Sequence, residues 1–169
     1  RPGGPQLGQS GDSEISWSRT SNALGDSDDG VAFLASLVAS ATTDTESSIL
    51  VTSGKGWLDA WIDFNGNGEF DHPAEHISEG DSISLLAGET TVPITIPSGS
   101  APGTSFARFR ISTTGGLGPN GEAGDGEVED YQVLLADASL LNAIGISVAP
   151  SSEGYTIRHD GGDLVVSEG

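Results

Sequence analysis

The sequence contains no cysteine. This excludes disulfide bonds, a thiolate nucleophile and a zinc site built from thiolates. Basic residues are scarce as well: there are 6 lysines and arginines against 25 aspartates and glutamates, and the formal net charge is −19. A field of that sign repels phosphate backbones and anionic membranes, so nucleic acid is a poor partner. No apolar run approaches the roughly 20 residues of a membrane-spanning helix, so we expect no membrane insertion.

The surplus of acidic residues also bears on stability. Repulsion among so many carboxylates destabilises a compact fold unless cations relieve it, which favours a divalent metal ion before any motif is considered. Solubilisation is the alternative explanation for part of the charge. With 169 residues the chain can bury a substantial core in one domain and leave a smaller part over.

The clearest pattern lies between Trp57 and Asp71, where a strand runs directly into a loop. Side chains alternate from residue 57 to residue 64 in the manner of a strand. One face is apolar and carries Leu58, Ala60, Ile62 and Phe64. The other face carries Trp57, Asp59, Trp61 and Asp63.

Beyond this strand an oxygen-bearing side chain occurs at every second residue, and the set is Asp63, Asn65, Asn67, Glu69 and Asp71. Calcium takes roughly six to eight oxygen ligands at about 2.3–2.6 Å, so the chain must curl tightly around it, and Gly66 and Gly68 permit the backbone angles this requires. We therefore predict a calcium loop that uses the side chains of the aspartates and asparagines and the main-chain carbonyl of Glu69.

The loop departs from the EF-hand pattern in two ways. The entering segment is a strand, and the twelfth position holds Ala74 where the pattern has a glutamate, with Glu75 one residue late. A solvated Asn-Gly hairpin turn is therefore the alternative interpretation. His72 and His76 are spaced for zinc on a helix, but the stretch is too short for one, and we expect an exposed turn in which Glu75 lends an oxygen to calcium.

Two further acidic clusters each border a predicted strand. Their members are Asp26, Asp28 and Asp29 in the first and Asp125, Glu127, Glu129 and Asp130 in the second. If the two strands are adjacent, like charges repel by about 1 kcal/mol per pair even in water. We hypothesise that a second calcium ion binds Asp28, Asp29, Glu127 and Asp130. Asp26 and Asp125 are further candidates for metal or ion-pair contacts.

The strand from Ser105 to Ser112 is expected to help neutralise these clusters. It carries Arg108 and Arg110 on one face, and two neighbouring guanidinium groups need carboxylates. We predict that Glu129 pairs with one of these arginines. The alternative for the arginines is that both are exposed on the surface. The alternative for the cluster at Asp26, Asp28 and Asp29 is a solvated acidic turn.

Alternating patterns elsewhere predict an all-β, antiparallel β-sandwich, Ig-like or jelly-roll-like, with calcium-binding loops. The remaining predicted strands are at residues 14–18, 31–40, 47–52, 81–86, 91–96, 132–135, 144–148, 155–159 and 164–167. We expect residues 1–23 to be a polar segment from a preceding region and residues 24–135 to form the sandwich. Residues 136–169 would be a linker with strands of a following module, or strands added to the sandwich edge.

Four motifs in this order resemble the GEVED domain: DDGV (28–31), WLDAWIDFNGNGEF (57–70), ARFRIS (107–112) and GDGEVEDY (124–131). The resemblance covers about residues 24–135. It implies an extracellular β-sandwich accessory module of large secreted or surface-attached bacterial proteins, repeated or mixed with other modules and without known catalysis.

Two classes of function follow. The first is a non-catalytic, calcium-binding module that acts as a spacer, an adhesion element or a partner-binding domain at the cell surface, beside neighbouring modules of the same chain. The second is a carbohydrate-binding module, or an accessory domain of a polysaccharide-active enzyme, in which Trp57 and Trp61 on one strand face stack against sugar rings. In either case a polysaccharide or a surface protein is the expected partner.

Overall fold

The computed structural model describes residues 3–8, 30–143, 147–151, 154–159 and 162–167, with side chains up to residue 141. The predicted strand at residues 14–18 lies outside the described residues, and so do Asp26, Asp28 and Asp29.

The regular secondary structure of the described chain is almost entirely β-strand, as predicted. Its strands are β1 (Val31–Phe33), β2 (Leu37–Ala39), β3 (Thr45–Ser53), β4 (Gly56–Ile62), β5 (Ile83–Leu85), β6 (Gly88–Ile96), β7 (Gly103–Ser112), β8 (Glu127–Asp137), β9 (Ser147–Ser151), β10 (Gly154–His159) and β11 (Gly162–Ser167). One short helix, α1 (Ala138–Ala143), follows β8 directly. No helix among the described residues has the length and apolar character needed to cross a membrane.

Two sheets form a β-sandwich around one core. The smaller sheet has the order β1-β3-β6, and the larger has the order β2-β8-β7-β4-β5. Every pair is antiparallel except β2 with β8, which is parallel. Apolar side chains of both sheets meet in a single cluster that includes Ile49, Ile94, Ile62 and Phe109. The sandwich prediction is therefore confirmed, with one parallel pair that the prediction lacked.

The segment from Val31 to Ser40 was expected to be one strand and is two. Val31 pairs with Val51 in the smaller sheet, whereas Leu37 pairs with Leu135 in the larger. The chain therefore crosses from one sheet to the other between Phe33 and Leu37. A short apolar run does not reveal such a crossing, because both halves face the same core.

Strands β9, β10 and β11 form a sheet of their own, in the order β11-β10-β9. Their positions agree with the strands predicted at 144–148, 155–159 and 164–167 to within a few residues. Among the described residues, no strand of this sheet pairs with a strand of the sandwich.

Candidate metal-binding loop and the outer face of the large sheet

The predicted calcium loop begins where β4 ends, and the sandwich holds its first residues. The N–H of Asp63 donates to the carbonyl of Phe106 at 3.0 Å, and the Ser105 hydroxyl donates to the carbonyl of Asp63. The carbonyl of Phe64 accepts from the N–H of Ala101 at 2.7 Å, while the Phe64 ring enters the core. The loop therefore starts from a fixed point.

The carboxylate of Asp63 organises the following turn. Oδ1 accepts the N–H groups of Gly66 at 2.7 Å and Asn67 at 3.2 Å, and Oδ2 accepts that of Gly68 at 2.9 Å. Gly66 and Gly68 have φ angles of 73° and 85°, in the left-handed region that favours glycine. The predicted requirement for glycine at these two positions is confirmed.

Asp71 closes the loop from the other end. Its Oδ2 accepts the side-chain N–H groups of Asn65 at 2.9 Å and Asn67 at 3.0 Å. The amide oxygens of the two asparagines accept N–H groups within the loop, from Asn67 at 2.9 Å and from Glu69 at 2.8 Å. The structure thus brings the side chains of Asp63, Asn65, Asn67 and Asp71 together in one compact loop.

Glu75, which was expected to lend an oxygen to calcium, belongs to the same loop. Its carboxylate accepts the N–H of Asn65 at 3.1 Å and the N–H of Asp71 at 2.9 Å, and only 3% of the residue is exposed. Burial raises the pKa of Glu75, and the charges of Asp63 and Asp71 add to that effect. The signal in the sequence was a glutamate one position beyond its place in the EF-hand pattern.

The donor set of this loop has the chemistry that calcium requires. Three carboxylates and two amide oxygens are hard ligands, and no thiolate is present. The loop is not a preformed metal group, however: nowhere in the described chain do three carboxylate or imidazole side chains converge closely enough to hold an ion. Oxygens of Asp63 and Glu75 instead accept backbone N–H groups. The predicted role of the Glu69 carbonyl stays a prediction.

Residues 75–77 lie beside β4 and cover part of its outer face. Ile62 donates its N–H to Glu75 and Ile77 donates to Ala60, with a bridge between Trp61 and His76. The indole N–H of Trp61 donates to His72 Nδ1 at 3.3 Å, and the Trp61 and His76 ring centres are 4.9 Å apart.

The predicted sugar-stacking face is therefore wrong. Trp61 is fully buried beneath the two histidines, whereas Trp57 is 39% exposed, so the two rings do not form one accessible platform. The expected exposed turn at His72–His76 is also wrong at its second histidine, because His76 is buried. Period-two alternation correctly placed both tryptophans on the face opposite Leu58 and Ile62, but it carries no information about what covers that face.

A buried aspartate lies next to this histidine. The Asp59 carboxylate accepts the Ser82 hydroxyl at 2.6 Å and the Leu117 N–H at 3.1 Å, and it lies 3.5 Å from His76 Nε2. His76 Nδ1 accepts the N–H groups of Ser78 and Gly80, which leaves the proton of a neutral ring on Nε2, facing Asp59. Burial by itself would raise the pKa of Asp59, but contacts with His76, Ser82 and Leu117 together hold it below its ordinary value. Sequence reasoning gave Asp59 no role.

Both predicted arginines lie on the outer face of β7, and each has a different partner. Arg108 makes a two-bond pair with Asp130, from Nε at 2.7 Å and from Nη2 at 2.6 Å. Arg110 is buried and donates to the carbonyls of Gly118, Asn120 and Gly121 in the glycine-rich loop between β7 and β8. The Arg110 guanidinium therefore holds the glycine-rich loop in place through its carbonyls, and its hydrogen bonds do not go to a carboxylate.

Three acidic residues at and just before the start of β8 accept hydrogen bonds from other parts of the chain. Glu127 accepts the N–H of Leu7 at 2.6 Å, and Glu129 accepts the Gly30 N–H at 3.2 Å and the Tyr131 hydroxyl at 2.6 Å. The exposed carboxylate of Asp125 accepts the backbone N–H and hydroxyl of Thr113, which lowers its pKa.

Two parts of the second-cluster hypothesis need correction. The arginine pair predicted for Glu129 is made by Asp130 with Arg108. Glu127 and Asp130 were grouped as ligands of one ion, but they lie on opposite faces of β8, because residues an odd number of positions apart in a strand point to opposite sides. The other two predicted ligands, Asp28 and Asp29, lie outside the described residues.

The predicted proximity of the two clusters receives support from the residue that follows the first. Gly30 is bonded to Glu129, and the N–H of Val31 donates to the Tyr131 hydroxyl at 3.2 Å. The motif at residues 127–131 therefore does fasten the first strand to the last strand of the sandwich, as predicted. In the described chain it does so through backbone N–H groups.

Comparison with known proteins agrees with the motifs. The family model of the GEVED domain matches residues 57–134, which include the metal-binding loop, both arginines and the start of β8. No curated protein matches the chain. The match thus supports assignment of the stretch from β4 to β8 to the GEVED family, as the motifs indicated.

Proposed function

We propose that this chain is a non-catalytic accessory module of a secreted or cell-surface bacterial protein, and that its loop from Asp63 to Glu75 binds calcium. As such a module it acts as a spacer, an adhesion element or a partner-binding domain beside other modules. The match to the GEVED family model supports the accessory role. The absence of cysteine supports a need for another stabilising device. Secreted domains are often stabilised by disulfide bonds, and this chain cannot form them.

The burial of Asp63 and Glu75 is the observation that carries the calcium proposal. Each residue is 3% exposed, and Asp71 lies in the same loop. In the part of the chain that the structure describes, none of these three carboxylates forms an ion pair with a basic side chain. Buried charge without a counter-ion is costly, and a divalent cation is the counter-ion that oxygen ligands favour.

The chain's own residues have distinct parts in this arrangement. Asp63 holds Gly66 and Gly68 in the turn, the two asparagines orient Asp71, and Glu75 ties both ends of the loop together through Asn65 and Asp71. A bound calcium ion would neutralise these carboxylates and join the end of β4 to the segment that covers Trp61.

Two glutamates of this loop allow a matched test. We expect Glu75→Gln to weaken calcium binding about tenfold or more, because it removes a ligand charge, while Glu69→Gln leaves binding unchanged, because only its main-chain carbonyl is a predicted ligand. Isothermal titration of metal-free protein gives both affinities. Equal affinities in the two variants and the wild type would contradict the assignment of Glu75.

A further inference from the structure

The segment Gly3–Gly8 occupies a narrow slot at one end of the sandwich. Pro5 and Leu7 are buried while Gln6 between them is exposed, and Leu7 belongs to the hydrophobic core with 1% exposure. On one side the slot is bounded by the last two residues of β3 and by Gly54, which follows them. On the other it is bounded by Glu127, whose carboxylate accepts the N–H of Leu7 at 2.6 Å.

Main-chain hydrogen bonds hold this segment as an added strand. Gly8 donates its N–H to the Thr52 carbonyl at 2.8 Å, Gly54 donates to the Gln6 carbonyl at 2.9 Å, and Leu7 forms an antiparallel bridge with Ser53. Strand addition of this kind takes its affinity from the backbone and its specificity from pockets for alternate side chains. Here the alternate side chains are those of Pro5 and Leu7.

Glycines shape the slot for this peptide. A Cβ placed on Gly30 would lie 2.4 Å from the nitrogen of Gly8 and 2.5 Å from Cβ of Leu7. A Cβ on Gly56 would lie 2.8 Å from Cγ of Pro5, and a Cβ on Gly4 would lie 2.3 Å from the nitrogen of Gly126. Gly30 and Gly56 therefore leave room for the segment where it passes. Gly4 of the segment leaves room for the backbone of Gly126 in the same way.

We propose that this slot is a recognition site for an extended Gly-Pro-x-Leu-Gly peptide, and that segment Gly3–Gly8 of a second copy of this chain can occupy it. The hydrogen bonds of the segment in the described chain all lead to residues beyond residue 29. A copy of the segment from another molecule would make the same contacts, which is the condition for exchange of a strand between protomers. Such exchange links copies of the module without any new interface.

Charge sets the conditions for this exchange. Each copy carries a formal charge of −19, so two copies repel one another at low ionic strength. Salt screens that repulsion, because the Debye length falls from about 30 Å at 0.01 M to about 10 Å at 0.1 M ionic strength. Exchange should therefore increase with salt and with protein concentration.

The peptide specificity is tested on the 169-residue chain with Leu7→Asp, which removes the anchor of the chain's own segment. The synthetic peptide Gly-Gly-Pro-Gln-Leu-Gly-Gln should bind this variant at one site and raise its melting temperature. A peptide with alanine at the leucine position should bind about thirtyfold or more weakly, since loss of a buried leucine side chain is costly. A peptide with alanine at the exposed glutamine position should bind as tightly as the original.

A folded Leu7→Asp chain that does not bind the peptide, or that binds the alanine-for-leucine peptide equally well, would overturn the proposed specificity. If the variant does not fold alone, refolding with the peptide present restores the fold under the proposal. Failure of both, together with unchanged Gly30 and Gly54 amide resonances when the peptide is added to the isotope-labelled wild-type chain, would also overturn it.

Exchange between copies is tested by disulfide trapping, which is clean because the sequence has no cysteine. Chains with Gln6→Cys are mixed with chains with Lys55→Cys, since Gln6 bonds to Gly54 and both replaced side chains are exposed. Oxidation should give a covalent dimer of the two different chains, at several-fold higher yield in high salt than in low salt. Mixing with Glu46→Cys, an exposed position at the far end of β3, is the control. A yield no greater than that control would overturn the exchange.

Discussion

Buried charge is concentrated on the outer face of the five-stranded sheet. Asp59 and Arg110 are both buried there and lie opposite each other in the β4–β7 register. Burial lowers the pKa of Arg110, with a further contribution from Arg108, whereas Asp59 and Asp130 oppose the shift. The guanidinium nevertheless has three carbonyl partners, and the Asp59 carboxylate has two hydrogen-bond donors. Asp59 and Arg110 keep their charges because groups of the loops above the sheet form hydrogen bonds with them.

Asp59 should make the stability of the protein depend on pH in the acid range. Its pKa is lower in the folded chain, so its contribution is fully present above the ordinary aspartate pKa of about 3.9 and is lost as the pH falls through the lower folded value. We expect Asp59→Asn to lower the free energy of unfolding by about 1–3 kcal/mol at pH 7. Urea titrations should show a smaller difference at pH 3, and a difference independent of pH would contradict this account.

The two arginines of β7 should respond differently to the same substitution. Arg110→Lys removes a planar fork that binds several carbonyls in a buried site, so we expect a loss of about 1–3 kcal/mol and faster amide exchange in the loop of residues 113–126. Arg108→Lys affects a pair in which the Asp130 side chain is 46% exposed, so it should cost less, about 0–1 kcal/mol. Denaturant unfolding and hydrogen exchange measure both effects; equal losses would refute the distinction. Calcium stoichiometry should be unchanged in both variants.

Strand β4 has buried residues on both faces, and this sets the positions of the sites around it. Its inner face enters the sandwich core, while Asp59 and Trp61 on the outer face are covered by residues 75–77 and their neighbours. The metal-binding loop follows the same strand, so Glu75 both borders the loop and bonds to Ile62. The calcium loop and the cover of Trp61 are therefore one structural unit.

The two tryptophans of β4 provide a direct test of this arrangement. We expect Trp61→Ala to cost about 3–5 kcal/mol, because it empties a fully buried site, and Trp57→Ala to cost much less, because that ring is 39% exposed. Equilibrium unfolding gives both values. Acrylamide should quench the fluorescence of the Trp61→Ala variant, which retains Trp57, more strongly than that of the Trp57→Ala variant. Similar costs and similar quenching would be inconsistent with the burial of Trp61.

Local sequence patterns predicted the positions of strands well, but they predicted poorly which segments contact each other. The alternation in β4 correctly grouped Leu58, Ala60 and Ile62 on one face, which is the core face, because the signal depends only on the strand itself. The burial of Glu75 depends on a segment that returns to β4. The pairing of Arg108 with Asp130 depends on the β7–β8 register, in which these residues are opposite each other. Pair registers and returning segments are properties of the assembled sheet, which no stretch of sequence contains.

The whole sandwich is fastened at one end by the motif that begins β8. Glu127 holds the segment that contains Leu7, and Glu129 holds Gly30 at the start of β1. Both contacts join parts of the chain that are more than ninety residues apart, at separations of 120 and 99. The acidic clustering and the proximity of these regions could be predicted from the sequence. The use of backbone N–H groups as partners could not, because any residue type provides them.

At the scale of the molecule, a chain with a net charge of −19 and no disulfide bond depends on relief of its own repulsion. Arg108, Arg110 and backbone N–H groups provide part of that relief on the outer face and at the start of β8. The loop from Asp63 to Glu75 has carboxylates but no ion-pair partner among the described residues. Calcium in this loop would therefore stabilise the whole domain, and its removal should be felt globally.

The melting temperature with and without calcium tests this central claim most directly. Protein is freed of metal by a chelator, metal loss is verified by elemental analysis, and calorimetric scans are compared with scans at a free calcium concentration 100 times the dissociation constant. Mass action then contributes about 2.7 kcal/mol, which corresponds to a rise of about 5–10 °C for a domain of this size. We predict that rise in the wild type and in Glu69→Gln, and a rise of about half that size or less in Glu75→Gln at the same calcium concentration, because a tenfold weaker affinity leaves about 1.4 kcal/mol. Identical melting curves for metal-free and calcium-treated wild-type protein would contradict the account.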